Sequence, residues 1–171
     1  SRQMPWAIRP GACGDVTQVN NLSPGNEFGH DHADRMGQQL AHAAYSAIED
    51  AEFEESLALS ATIEPTPIRV RSEQEADREV PRLGLSSGEP WPRIYAQEKQ
   101  HVDALRKSQP VINCEVQSIR ISDLGIVSSG TELFCQASLD IKRASPFART
   151  WVVTLASEYL GYVPTGSAFY A

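Results

Sequence analysis

Two oxygen-bearing side chains, Glu132 and Tyr162, each follow a hydrophobic segment in the last third of this 171-residue chain. Glu132 comes after the apolar segment Leu124 to Val127, and Tyr162 comes after the apolar run Trp151 to Leu155. A carboxylate and a phenolic oxygen delivered from strand ends are groups that a metal-assisted hydrolase could use. Two ligands do not complete a metal site, so the remaining ligands would have to come from elsewhere.

Each of these two residues also has a purely structural interpretation. The run Ser129 to Glu132 fits the capping-box pattern, in which the Glu132 side chain binds the backbone N–H of Ser129 at the start of a helix. A lone tyrosine such as Tyr162 is typically a packed ring with a wet hydroxyl. The functional alternative is a site at strand ends, where α/β sheets commonly place their ligands.

A third candidate is the glycine-flanked turn from Gly11 to Thr17, which follows a short apolar run. The backbone amides around Gly14 and Asp15 could line an oxyanion or phosphate site, and Thr17 could offer a hydroxyl. The turn is not a P-loop, because no Gly-Lys-Ser/Thr follows it.

The string His30-Asp31-His32-Ala33-Asp34 also has two interpretations. Two histidines so close together could share a metal ion. They also precede a predicted helix, where Asp31 or Asp34 would act as a cap and as a partner of the helix dipole. The sequence favours a solvated helix start.

Hydrophobic periodicity predicts the elements that must position these residues. We expect an α/β fold in which helices pack on a mixed sheet, as a fragment of a larger layered catalytic domain. The helices are predicted over 32–51, 72–80, 93–107 and 131–143, and the strands over 4–8, 57–70, 111–121, 124–127 and 151–155, with 83–92 as a connector. The strands over 111–121 and 124–127 are predicted to form a hairpin.

Composition excludes several classes of protein. The net charge of −7 and the lack of any Lys/Arg run argue against a nucleic-acid partner. The three cysteines are odd in number and far apart, which excludes a closed disulfide framework and a cysteine-based zinc finger. No apolar run has the length of a membrane span. Both ends of the chain look cut, so we expect it to be part of a longer protein.

Several segments, in their order and spacing, resemble the neutral/alkaline, non-lysosomal ceramidase family and its bacterial ceramidase-like relatives. The resemblance covers most of residues 5–171 and is strongest after Glu115. The matching segments are GACGDV, RMGQQLAHAAYSAI, PTPIRVR, Ile-Arg-Ile-x-Asp-Leu, Glu-Leu-Phe, Ile-Lys-x-x-Ser-Pro and Tyr-x-Pro-Thr.

The resemblance implies a zinc-dependent amidohydrolase that cleaves the amide bond of N-acylsphingosine. The family holds its zinc with two histidines, one glutamate and one tyrosine, and Glu132 and Tyr162 match the last two. The two histidine ligands belong to segments upstream of Met4, and His30 and His32 do not match them. Residues 1–171 would then be the C-terminal part of the catalytic domain, inactive by itself. Many members of the family are exported, which suggests the same for this protein.

The turn that the family writes as Gly-Asp-Val-Ser-Pro-Asn differs here. In this chain the turn covers Gly14, Asp15 and the residues up to Val19, and Thr17 replaces the serine that contributes to catalysis in the family. The Pro-Gly that precedes the ligand glutamate in the family is replaced by Gly130-Thr131 before Glu132. Alternatives are therefore a hydrolase of another linear amide or an ester, and a binding module that has lost its metal. The partners implied are a lipid amide or other small linear amide, a peripherally contacted membrane, and the missing N-terminal part.

Overall fold

The computed structural model describes residues 7–22, 25, 27–53, 55–72 and 90–169. It contains three kinds of element, which we number along the chain. The helices are α1 (His30–Glu49), α2 (Pro90–Ser108) and α3 (Cys135–Ala144), the strands are β1 (Leu59–Arg69), β2 (Val111–Ile121), β3 (Leu124–Ser128), β4 (Glu132–Leu133), β5 (Arg149–Val153) and β6 (Tyr162–Val163), and a 3-10 helix covers Gly166–Phe169.

The main sheet has four strands in the order β1-β2-β3-β5. β1 pairs antiparallel with β2 along its whole length, and β2 pairs antiparallel with β3. β3 and β5 are parallel, because the chain crosses over between them through α3. A second, two-stranded parallel sheet joins β4 to β6. The predicted α/β fold with a mixed sheet is therefore confirmed.

The β2–β3 hairpin shows why the alternating pattern predicted these strands well. Its turn is Ser122-Asp123, in which Ser122 takes a left-handed backbone conformation with φ of 52°. The strand bounds differ from those predicted only by the addition of Ser128 to β3. Alternation along β2 places Cys114 and its even-numbered neighbours on one side.

The buried residues lie where β2, β3 and β5 meet the chain that follows β3. Among the residues that the structure describes, Val152 and Cys114 are the buried apolar side chains, and Thr154, which is 1% exposed, is the most buried polar one. The Thr154 hydroxyl donates a hydrogen bond of 2.7 Å to the Gly11 carbonyl, which joins the predicted turn to the end of β5. Small polar residues thus connect the chain segments at this centre.

Two predicted elements are wrong in part. The helix predicted over 131–143 begins only at Cys135, because Glu132 and Leu133 extend instead as β4 and pair with β6. The buried strand predicted over 4–8 is not seen at Ala7 and Ile8, which lie outside any strand, and Ile8 is 79% exposed. Residues 4–6, most of the predicted helix 72–80 and most of the connector 83–92 lie outside the described residues.

The two long helices match their predictions closely, with α1 at 30–49 and α2 extended at its start to Pro90. Within the described ranges, none of the helices has the length and apolar character needed to cross a bilayer.

Candidate functional site

Glu132 and Tyr162 are direct partners across the β4–β6 pair. The Glu132 backbone N–H donates to the Gly161 carbonyl at 2.9 Å, and the Phe134 N–H donates to the Val163 carbonyl at 3.3 Å. Because paired residues of neighbouring strands project their side chains to the same face, the carboxylate and the phenol lie side by side.

The capping-box interpretation of Glu132 is wrong. The Ser129 backbone N–H donates to the Val153 carbonyl at 3.2 Å, and no helix begins at this position. Because the Glu132 backbone pairs with β6, Glu132 is not part of the helix. Its side chain is therefore available for a role other than capping. The sequence did not predict this pairing, since a two-residue strand has no periodicity to detect.

Residues 155–161 form a loop, which we call the tyrosine loop, that carries Tyr159 and leads into Tyr162. Its backbone is fixed to the chain before Glu132 by three N–H donors: Leu155 to the Thr131 carbonyl at 3.3 Å, Ala156 to Ser129 at 3.0 Å, and Leu160 to Gly130 at 2.7 Å. Leu155 and Ser157 have positive φ angles of 56° and 69°. Such conformations persist only where surrounding contacts enforce them, and they are common at functional sites.

Side chains of the tyrosine loop also hold it to β2. Glu158 accepts a hydrogen bond of 2.9 Å from the Glu115 backbone N–H, and Gln117 donates one of 2.8 Å to the Ser157 hydroxyl. Gly130 faces Glu158 so closely that a Cβ would collide with the Glu158 side chain and lie 2.9 Å from its carbonyl oxygen. A glycine is therefore required for this approach.

Both tyrosines of this region interact with the Glu132 carboxylate. The pKa of Tyr162 is raised from its ordinary value, first by the negative charge of Glu132 and then by a hydrogen bond to it. The pKa of Tyr159 is also raised, first by a hydrogen bond to Glu132 and then by burial. Tyr159 is 65% exposed and Tyr162 is 59% exposed, so neither is a core residue. The packed-ring interpretation of Tyr162 is therefore wrong.

The predicted turn from Gly11 to Thr17 contacts the chain around Glu132 through Gly14 and Asp15. The Gly14 N–H donates to the Leu133 carbonyl at 2.9 Å, and a Cβ on Gly14 would lie 2.8 Å from the Glu132 carbonyl oxygen. The Asp15 carboxylate accepts a hydrogen bond of 2.6 Å from the N–H of Cys135, the first residue of α3. Asp15 thus caps α3 from a distant part of the chain.

Thr17 is not joined to this group by any hydrogen bond between described residues. Its hydroxyl is exposed and donates to the neighbouring Gln18 side chain at 3.3 Å. Of the predicted site residues, the structure therefore brings together Gly14, Asp15, Glu132 and Tyr162.

Tyr159 and Cys13 were not predicted to belong to the site. The Glu132 carboxylate raises the pKa of Tyr159, and the charge of Cys13 is the last contribution to the raised pKa of Tyr162. The three-residue separation of the two tyrosines was the available signal for Tyr159, since a loop turning back between them can direct both toward one partner. Nothing in the composition around Cys13 indicated its position.

The His30 to Asp34 string forms the solvated start of α1. The His32 ring interacts with the Gln18 carbonyl and with the Arg35 side chain, each at 3.2 Å. Gly29 occupies the N-cap without a side-chain bond, so neither Asp31 nor Asp34 acts as the predicted cap. Across the described ranges, no group of three or more His, Cys, Asp or Glu side chains is arranged to hold a metal ion.

The donor chemistry at Glu132 and Tyr162 suits one half of a zinc site. A carboxylate oxygen is an ordinary zinc ligand, and a nearby cation would favour the ionised phenol that the carboxylate alone disfavours. Two oxygens leave the other ligand positions open. Comparison of the chain with known protein families, curated proteins and solved structures finds no match.

Proposed function

We propose that this chain is the C-terminal part of the catalytic domain of a zinc-dependent amidohydrolase. Its substrate would be the N-acyl amide bond of ceramide or of a related lipid amide. The observation that supports the proposal is the direct pairing of Glu132 with Tyr162 across β4 and β6, since these are the two residues that match the ligands of the ceramidase family.

Glu132 and Tyr162 would hold the zinc ion together with two histidines outside this chain. When bound, zinc would supply a Lewis acid that polarises the amide carbonyl and lowers the pKa of a water molecule. Glu132 contributes the negative charge that balances the cation. The Tyr162 hydroxyl keeps its proton while only the Glu132 carboxylate faces it, and would release it when a cation binds.

Gly14 and Asp15 would hold β4, which carries Glu132, in position. The Gly14 backbone packs against Glu132 and Leu133, and Asp15 fixes the start of α3 directly after them. Both therefore limit the movement of β4. Thr17 is the remaining candidate for hydrogen bonding to the developing oxyanion, which would require its hydroxyl to leave Gln18.

A second candidate function is a binding module that keeps the fold without the chemistry. It is favoured by Thr17, whose hydroxyl is exposed and turned to Gln18, and by Asp15, whose carboxylate is already used as a helix cap. A hydrolase of another linear amide or of an ester would share every contact described above. Substrate assays separate these alternatives.

The test uses the full-length protein, which on this proposal includes the segment with the two histidine ligands. Zinc content is measured by atomic absorption in the parent and in the variants Glu132→Gln and Tyr162→Phe. Both variants are expected to lose zinc, because each removes one of the ligand oxygens. The matched controls Glu64→Gln on β1 and Tyr45→Phe on α1 make the same chemical changes on other elements and should keep their zinc.

Hydrolysis of N-acylsphingosine, a short N-acyl amine and a short ester is followed in the same samples, with and without a chelator. Cleavage of the sphingolipid that the chelator abolishes supports the ceramidase-like function. Cleavage of the short amide or ester alone favours the related hydrolase, and zinc-free protein without activity favours the binding module. Unchanged zinc in both ligand variants would overturn the assignment of Glu132 and Tyr162.

A further inference from the structure

An open cleft lies at the end of the main sheet where β3 and β5 begin. Three separate parts of the chain form it: Ala58 before β1, the end of β2 with the β2–β3 turn, and residues 146–148 between α3 and β5. Its volume of about 650 Å³ is in the range of pockets that hold small organic molecules. β3 leads from this cleft toward Glu132, so the cleft and the Glu132 site lie at opposite ends of that strand.

Arg120 places a fixed cationic group in this cleft, which we call the Arg120 cleft. Its Nε donates to the Ser122 carbonyl at 2.9 Å, which orients the guanidinium plane. Ser122 is held in turn by Ala58, because the Ser122 N–H donates to the Ala58 carbonyl at 2.8 Å and the Ala58 N–H donates to the Ser122 hydroxyl at 3.3 Å. The described part of the chain offers no hydrogen-bond acceptor to the two terminal nitrogens of Arg120. Those nitrogens form a planar fork that matches the two oxygens of a carboxylate.

Phe147 forms an apolar wall beside this guanidinium. The centre of its ring lies 6.0 Å from the Arg120 Cζ. The ring packs against β3 so closely that a Cβ added to Gly125 would collide with it, which fixes the wall in place. Pro146 and Ala148 extend the apolar surface on either side. The cleft therefore combines one oriented cation with a preformed surface for a hydrocarbon group.

The charges around the cleft favour a ligand with a single negative charge. Asp123 also lines the cleft, and its carboxylate lies 4.0 Å from the Arg149 guanidinium, so these two charges offset each other. Among the described residues that line the cleft, the charge of Arg120 is then left without a counter-charge. One carboxylate would neutralise it, whereas the second negative charge of a phosphate monoester would be repelled by Asp123.

We propose that the Arg120 cleft binds a small organic carboxylate. The carboxylate group pairs with the two terminal nitrogens of Arg120, and the apolar part of the ligand lies against Phe147. The inference is independent of the proposed function, because the cleft requires no metal and contains none of the residues around Glu132.

The test is the binding of octanoate to the full-length protein, measured by isothermal titration calorimetry. Octanamide is the uncharged analogue, and octyl phosphate carries the same chain with a second negative charge. Octanoate should bind about 10-fold more tightly than octanamide, because hydrogen bonds between charged groups are lost with the amide. It should also bind more tightly than octyl phosphate. Absence of octanoate binding, equal binding of octanamide, or tighter binding of octyl phosphate would overturn the proposal.

Two variants test whether the acid binds in this cleft. Arg120→Gln removes the guanidinium and should weaken octanoate binding about 10-fold. Ala148→Asp places a negative charge on an exposed part of the wall and should also weaken it. Arg35→Gln on α1 makes the same chemical change elsewhere and should leave the affinity unchanged. Circular dichroism checks that each variant is folded, and unchanged octanoate affinity in either folded cleft variant would overturn the proposal.

A chelator separates this site from the proposed zinc site. Octanoate binding to the Arg120 cleft should persist when the titration is repeated with the chelator present. Binding that the chelator abolishes would place the acid at a metal ion and overturn the proposal for the cleft. A full-length protein that binds octanoate through Arg120 but contains no zinc would overturn the proposed function and support the cleft.

Discussion

The part of the chain from β2 to β6 and the part that contains α1 and β1 differ sharply in how they are packed. All buried side chains among the described residues lie between Cys114 and Thr154. By contrast, α1 has no buried residue, and every residue of β1 except Ile68 is exposed. The region that holds Glu132 and Tyr162 therefore contains the buried contacts, whereas α1 has no buried residue and β1 is held by its backbone pairing with β2.

This difference in burial predicts where substitutions should change stability most. Around Glu132, backbone segments approach each other so closely that glycines and short polar side chains are needed. Most side chains of α1 are exposed, so intrinsic helix propensity becomes the main contribution there. Variants chosen in matched pairs, one from each region, can test this contrast.

The largest effect is expected from Gly130→Ala. The added Cβ would collide with the Glu158 side chain, so the tyrosine loop would have to move away from Gly130. We expect the free energy of unfolding to fall by about 3 kcal/mol, the upper end for overpacking. Urea denaturation measures this loss. A change below about 0.5 kcal/mol, the usual range of surface substitutions, would mean that the close approach of the loop is wrong.

The buried thiol of Cys114 should make stability fall in alkaline solution. Its pKa is raised, first by burial, so the folded protein keeps the thiol protonated where the unfolded chain has ionised. This stability is fully present below the unfolded pKa of about 9 and is lost as the pH rises through the folded pKa. The loss is at most about 1.4 kcal/mol per pH unit.

Urea denaturation of the parent and of Cys114→Ala from about pH 8 to about pH 10 measures this contribution. The difference between the two curves should narrow as the pH rises, because the variant has no thiol to ionise. Cys13→Ala, at an exposed position, is the matched control. Parallel curves for the parent and Cys114→Ala would contradict the prediction.

A smaller loss is expected from Asp15→Ala, because it removes the acceptor for the Cys135 N–H at the start of α3. Loss of a helix cap costs about 1 kcal/mol. Asp15→Asn keeps an acceptor oxygen and should lose less. Asp31→Ala, in the first turn of α1 where no side-chain cap bond exists, is the comparison and should change stability by only a few tenths of a kcal/mol. Equal losses of stability in Asp15→Ala and Asp31→Ala would mean that Asp15 does not act as a cap of α3.

The smallest effect should have the opposite sign. Gly37 lies in α1, and a Cβ added there would meet nothing within 4 Å. Gly37→Ala should therefore stabilise the protein by roughly 0.5–1 kcal/mol through the lower entropy of the unfolded chain. The same denaturation experiment that shows a loss for Gly130→Ala checks this gain. Destabilisation at Gly37 would indicate that α1 is packed against another surface.

The sequence predicted the elements with strong periodicity and missed those without it. The alternation in β2 and the helical spacing in α1 depend on local repeats, so their bounds were nearly correct. β4 and β6 have two residues each and exist only through pairing between distant parts of the chain. For the same reason the sequence suggested Glu132 as a helix cap, while the actual cap of α3 is Asp15, 120 residues away from Cys135.

The sequence identified most residues of the candidate site but did not predict how they are arranged. Gly14, Asp15, Glu132 and Tyr162 were singled out, and they lie together because the turn at Gly14 binds β4 directly. Tyr159 escaped notice because its position depends on the shape of the tyrosine loop, which two non-glycine residues with positive φ define. Such conformations cannot be inferred from residues that usually avoid them.

The two prolines of β1, Pro65 and Pro67, have a consequence for how copies of this protein meet at high concentration. β1 is an edge of the described sheet, and a long exposed edge strand can recruit further strands into aggregates. Proline lacks an N–H, and within a paired strand its nitrogen must face away from the partner, here β2. The outer side of β1 therefore lacks donors at two alternate positions, which prevents a continuous ladder from growing there.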